Sequence, residues 1–157
     1  MEAGLNNLDR IGCELIAEAA RAGNDVRVRV AGSSMLPTLW PGDELIVRAP
    51  GLAEPSRGEL VLFVRNGRLC THRLIDKLDG AGASQLILRG DTAAASDPPM
   101  AASEILGTVG SITRGGREIQ VSSSPASRVF SFTIRHSDFF RRAVLKIHSI
   151  RRRSWTD

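Results

Sequence analysis

Two serines, Ser33 and Ser34, follow a glycine and precede Met35 in the stretch AGSSMLPTLWPGDELIV, residues 31–47. A serine hydroxyl is a weak nucleophile until a neighbouring group takes its proton and donors meet the developing oxyanion. Gly32 lets the backbone approach a substrate closely, so the stretch suits a nucleophilic serine. Taken alone it also reads as a turn. The cysteines offer no rival chemistry, because Cys13 and Cys70 are far apart and fit no zinc spacing. They read as small buried hydrophobes in a reducing compartment, with a disulfide as the alternative. Neither a metal nor a cofactor is expected.

Further along come SRGELVLFVRNG, THRLI, LILRGDTAAASDP and EILGTVGSI, in that order. With the first stretch, this series resembles the signal peptidase I branch of serine peptidases, which is related to the LexA-type self-cleaving repressors. The resemblance runs from about Val28 to Val109. It implies that Ser34, directly before Met35, is the nucleophile and Ser33 its neighbour. It also implies substrate contacts at Met35 and Pro37. Bacterial signal peptidases and the repressors pair serine with a lysine, whereas the matching box here is Thr71-His72-Arg73-Leu74-Ile75. That box is similar to the one in the endoplasmic-reticulum and archaeal signal peptidases, where histidine replaces lysine. The chemistry agrees, since an imidazole with an ordinary pKa of about 6.5 accepts a serine proton near neutrality without the desolvation a lysine needs. The chain has two lysines, Lys77 and Lys146. Lys77 stands five residues beyond His72, on the opposite face of a regular strand. The alternative for His72 is a surface-strand histidine.

A histidine base needs an acceptor that orients its other nitrogen. In the histidine-type enzymes two aspartates six residues apart matter, and Asp91 and Asp97 stand at that spacing. Asp97 is expected to partner His72, and Asp91 to support the backbone of the site. Ordinary roles are a turn for Asp91 and a loop cap for Asp97. Ser96 is a candidate extra donor. For the oxyanion, the Ser34 N–H is the nearest donor. Some bacterial relatives add a serine two positions before the nucleophile, and here that position is Gly32, which leaves Ser33 or neighbouring N–H groups to compensate.

These residues need elements to hold them. Leu5, Leu8, Ile11, Leu15, Ile16 and Ala19 recur at helical spacing, which predicts a helix over about 5–22, ended by Gly23-Asn24-Asp25. VRVRVAG alternates in steps of two, and ELIVRA, ELVLFVR, LCTHRLIDKL, SQLILRGD, EILGTVGSITR and REIQVS read as further strands. Asn66-Gly67 is a hairpin signal between the third and fourth of these. A Pro- and Ala-rich surface segment precedes about Ala102. The expected fold is mainly β, a coiled sheet of the signal-peptidase/LexA-like kind, with an N-terminal helix and a C-terminal amphipathic helix. The boundaries are 1–24 for the N-terminal helix, 25–121 for the catalytic β domain, and 122–157 for a linker and basic tail.

The 157 residues suffice for one domain with a core, and 42% hydrophobic against 24% charged residues is a globular balance. Tyr is absent and aromatics are few, so stacking platforms for single-stranded nucleic acid are poorly supplied. No apolar run approaches the roughly 18 residues of a membrane span, and the acid-bearing N-terminus lacks a secretory pattern. A cytoplasmic protein is therefore expected. Where signal peptidases carry a membrane span this chain has an amphipathic helix, and about 25 residues before Val26 are too few for a helix-turn-helix domain.

The net charge of +4 is uneven. Residues 128–157 hold eight basic against two acidic side chains, a net +6, which leaves −2 for residues 1–127. Phe139, Phe140, Ala143, Val144, Ile147 and Ile150 recur there at helical spacing between the basic residues. Such a helix docks on its own domain or a twin subunit, or lies on an anionic membrane surface; nucleic acid is a lesser alternative.

The expectation that follows is a serine endopeptidase with a Ser34-His72 dyad supported by Asp97. It would process a leader or propeptide segment of another polypeptide laid along a sheet edge, with small residues such as Ala beside the cut by resemblance. TAAAS, residues 92–96, is a weak candidate for self-cleavage. The alternative is a non-catalytic peptide-binding module that docks a partner or membrane through its basic tail.

Overall fold

The computed structural model describes residues 7–51, 54–78 and 84–121. The linker and basic tail expected over 122–157 lie outside the described residues, as do residues 5 and 6, where the N-terminal helix was expected to begin. The described chain is mainly β, one antiparallel eight-stranded sheet with a single α-helix.

Helix α1, Asn7–Arg21, puts Cys13, Ala17 and Ala20 into the core with Ile16 and Ala19 partly buried beside them. The expected apolar stripe included Ile11 and Leu15, yet these are 46% and 60% exposed. The buried stripe is rotated toward the small side chains, and alanines at 17 and 20 allow the helix close to the sheet. The helix closes with amides of Gly23 and Asn24 donating to carbonyls of Ala20 and Ala19, at 3.0 and 3.1 Å. No described helix is long and apolar enough to cross a membrane.

The strands are β1 Val26–Arg29, β2 Glu44–Arg48, β3 Leu60–Arg65, β4 Arg68–Leu78, β5 Gln85–Arg89, β6 Met100–Ala101, β7 Ile105–Arg114 and β8 Arg117–Gln120. Their order across the sheet is β1-β2-β7-β3-β4-β5-β6, with β8 also on β7. Seven of these match the expected runs. The two-residue β6 was expected only as surface segment, and it pairs Met100 with Leu86 at the far edge.

Strand β7 enters between β2 and β3 and so joins two halves that are distant in sequence. Alternate residues of β3 feed two cores, one on each face of the sheet. Leu60 and Leu62 pack with α1, β1 and β2, while Val61 and Phe63 pack with Leu74, Leu86 and Leu88. Burial on both faces is why this strand reads as a continuous apolar run. Asn66 and Gly67, at φ 51° and 69°, make the tight turn into β4. This turn sets the register Arg65↔Arg68, Phe63↔Cys70 and Val61↔His72.

Candidate active site

Ser34 lies in the connection between β1 and β2, on a segment whose apolar residues anchor it. Met35, Leu36 and Leu39 are buried on either side of a cis Leu36–Pro37 peptide, while Ser34 itself is exposed. Leu39 N–H donates to the Met35 carbonyl at 2.9 Å, closing a helical turn after the serine. From the other side, Thr92 clamps the Ser34 carbonyl with its amide at 2.9 Å and its hydroxyl at 3.0 Å. At the end of the segment, buried Asp43 takes a two-pronged ion pair from Arg114 at 2.7 and 2.8 Å. This hydrogen-bonded pairing raises the Arg114 guanidinium above its ordinary pKa.

His72 reaches Ser34 from β4. Its Nε2 stands 3.3 Å from Ser34 Oγ, and its Nδ1 stands 2.5 Å from Asp97 Oδ2. Both His72 and Asp97 side chains are 15% exposed, so the inner contact is largely shielded from water. The Phe63 ring meets the imidazole edge-on at 5.5 Å between centroids. Asp97 is itself held in place, since its amide donates to the Leu88 carbonyl at 2.8 Å. Its second oxygen, Oδ1, accepts from the Arg65 guanidinium. That guanidinium lies over the Phe63 ring, 5.1 Å from its centroid. Three segments far apart in sequence thus bring serine, imidazole and carboxylate into one line. Nucleophilic acyl transfer uses such an arrangement, with the imidazole between the hydroxyl and an orienting acid.

Asp91 sits elsewhere. It receives Arg73 through two bonds of 2.8 Å and the Thr38 hydroxyl at 2.5 Å. Arg73 also donates to the Gly58 carbonyl at 2.9 Å and to Thr38 Oγ1 at 3.0 Å. The Arg73 and Asp91 side chains are only 7% and 8% exposed. Their pair ties the Ser34 segment, through Thr38, to the strand that carries His72.

Gly90, just before Asp91, explains how the serine and histidine can approach each other. A Cβ there would lie 2.9 Å from the Ser34 carbonyl oxygen and 3.2 Å from both Ser34 Cβ and His72 Nε2. Only a residue without a side chain leaves that space clear.

The remaining expected residues divide. Gly32 and Met35 line a cleft of about 590 Å³ together with Ser34 and His72, although Met35 is also a core residue at 3% exposure. Pro37 is half-buried and does not line it. Ser33 gives its carbonyl to the Leu36 amide at 3.2 Å. Ser96 is exposed and bonds neither Ser34 nor His72 among the described residues. The Ser34 amide meets no acceptor among the described residues.

Lys77 requires a correction. The β4–β5 register slips between Leu74 and Asp76, so the alternation of faces shifts by one residue and Lys77 pairs Leu86, on the face of Leu74. Lys77 therefore lies on the face of His72, not opposite it as expected. What separates Lys77 from the serine is distance, about 16 Å of strand from His72, and its pairing with Glu54 at 3.0 Å. Cys70, two residues before His72, is a free thiol that burial pushes above its ordinary pKa, with the Arg65 charge pulling the other way.

No family model matches the chain, and no curated protein or solved structure matches it significantly. The site must therefore be read from its own geometry.

Arg65, Phe63, Arg73 and Thr38 were not anticipated. A signal for the first two was present, because a two-residue turn at Asn66-Gly67 puts 65, 63 and 61 opposite 68, 70 and 72. Phe63 and Arg65 hence share the face of His72.

Proposed function

We propose that this chain is a serine endopeptidase of the signal-peptidase type, with Ser34 as nucleophile, His72 as general base and acid, and Asp97 as the group that orients it. The observation that carries the reading is the continuous relay from Asp97 Oδ2 through both ring nitrogens of His72 to Ser34 Oγ, at 2.5 and 3.3 Å. In the first step Ser34 Oγ attacks the scissile carbonyl and His72 Nε2 takes its proton. As the tetrahedral intermediate collapses, that proton passes to the leaving amine. Water, activated by the same imidazole, then releases the acyl group and regenerates Ser34. Asp97 keeps the Nδ1 proton in place and faces the positive charge on the ring.

Two strand edges that no other described strand covers support a polypeptide substrate. Among the described residues, strand β1 pairs with β2 alone, and residues 68–72 of β4 pair with β3 alone because β5 joins only from Arg73. Both lengths border the cleft. An extended peptide entering there would find backbone donors and acceptors on either side and an apolar floor that includes Val28, Val30 and Leu69. A leader or propeptide segment, flexible enough to extend, fits that geometry better than a folded domain.

The test is labelling by a fluorophosphonate probe together with cleavage of candidate precursor peptides read by mass spectrometry. Both signals are expected from the unaltered chain and absent from Ser34→Ala. Cleavage that survives the substitution would sink the assignment.

A further inference from the structure

Among the described residues, the charged side chains lining the cleft that holds Ser34 and His72 are all of one sign. Arg27 and Arg29 of β1 and Arg68 of β4 line it, and among the described residues none that lines it is Asp or Glu. General basicity does not explain this, since residues 1–127 sum to a net −2. Strand alternation does: Val26 and Val28 turn into the core, so Arg27 and Arg29 turn outward on the strand that borders the cleft. Arg27 has a carboxylate neighbour, Glu44, at 3.7 Å, but the two side chains are 70% and 40% exposed and such a surface contact is weak.

Arg68 has the most definite placement. The β3–β4 register is regular from Arg65↔Arg68 to Leu60↔Arg73, so Arg68, Cys70 and His72 project from the same face of β4. Four residues of strand put Arg68 about 13 Å from His72. A peptide running alongside β4 advances at the same rise per residue. With its scissile bond at Ser34, its side chain about four positions away comes level with Arg68.

We propose that the cleft selects acidic substrates: an extended polypeptide bearing Asp or Glu about four residues from the bond that is cut, with Arg27 and Arg29 reinforcing the preference from the opposite edge. The proposal rests on the peptidase reading for the position of the cut. The cleft's charge and its affinity for acidic peptides do not depend on that reading. Arginine suits the task, because its planar fork meets a carboxylate through two parallel hydrogen bonds.

The experiment uses the full chain and a peptide set with a common Ala-containing centre, in which Glu, Gln or Lys is moved one position at a time from the cut. At low salt kcat/KM is expected to rise about two- to fivefold for Glu over Gln at the position opposite Arg68, the size of a partly exposed ion pair, and to fall for Lys. Near 1 M salt, where the screening length is about 3 Å, the difference should vanish. Arg68→Glu should reverse the order at that position, so that Lys outruns Glu, which misfolding cannot produce. Equal rates for Glu, Gln and Lys at every position would overturn the proposal while leaving the peptidase reading intact. If no peptide is cut and the fluorophosphonate leaves Ser34 unlabelled, the peptidase reading fails instead. Binding of the same labelled peptides to Ser34→Ala, followed by fluorescence anisotropy, then decides the proposal alone: tighter binding of Glu than Lys peptides supports it, and equal binding overturns it.

Discussion

Arg65 lays its guanidinium on Oδ1 of Asp97, the carboxylate whose other oxygen faces Nδ1 of His72. Phe63 supports both ends of this arrangement, beneath the guanidinium and against the imidazole. A carboxylate gripped at one oxygen has little freedom at the other, so Arg65 acts on the histidine through Asp97. Arg65→Met is expected to lower kcat about ten- to a hundredfold, the worth of a hydrogen bond to a charged group, with KM nearly unchanged. Arg65→Lys should recover part of the loss by restoring the charge without the fork. In a double-mutant cycle with Asp97→Asn, the Arg65→Met effect should largely disappear. Steady-state kinetics on the four proteins check this, and full additivity would separate Arg65 from the relay.

The two aspartates six residues apart should fail in different ways. Asp97→Asn keeps the shape but removes the charge facing the ring, and a loss of about 10⁴ in kcat with a nearly native melting temperature is expected. Asp91→Asn leaves the Arg73 guanidinium, 7% exposed, without its anion. Breaking one side of a buried pair costs about 3–5 kcal/mol, so its melting temperature should fall by roughly 10 °C or more. Thermal unfolding and kinetics on both variants separate the roles. Equal losses of stability would mean that Asp97, too, serves chiefly to hold the fold.

Much of this site is legible in the sequence, for reasons that differ by residue. Ser34 and His72 stand in recognisable boxes, and Asp91 and Asp97 keep a fixed spacing within one loop. Their meeting is not legible, since it depends on β7 passing between β2 and β3 and on Thr92 gripping the Ser34 carbonyl, contacts between segments some 60 residues apart. Lys77 shows a limit of periodic reasoning, because one extra residue near Ile75 reverses every later assignment of faces on β4. Helix α1 shows another. Hydrophobicity points to Ile11 and Leu15, but close packing selects Cys13, Ala17 and Ala20.

Cys70 shares the face of His72 without joining its chemistry. Burial, the dominant influence, holds its thiol above the ordinary pKa, so the reactive thiolate is scarcer at neutral pH than in a free cysteine. Alkylation by iodoacetamide at pH 7.5 should thus be slower than for a small-molecule thiol, and the rate should climb only at distinctly alkaline pH. Cys70→Ala should retain serine-dependent labelling. Mass-spectrometric labelling time courses provide the check, and rapid alkylation at neutrality would contradict the buried placement.

Gly90 is the most direct probe of the contact between Ser34 and His72. An added methyl would fall 2.9 Å from the Ser34 carbonyl oxygen, closer than a real Cβ tolerates, and 3.2 Å from His72 Nε2. The oxygen cannot retreat freely, because Thr92 holds it through two hydrogen bonds. The strain is therefore relieved by widening the gap between Ser34 and His72, which already stand at 3.3 Å. A displacement of about 1 Å at a reacting centre costs roughly a hundredfold in rate. Gly90→Ala is accordingly expected to slow fluorophosphonate labelling of Ser34 by about that factor. Far-ultraviolet circular dichroism should remain close to that of the unaltered chain, since the added carbon meets site atoms and no strand core. Labelling at the unaltered rate in a folded Gly90→Ala protein would show that the serine does not depend on His72 for its reactivity.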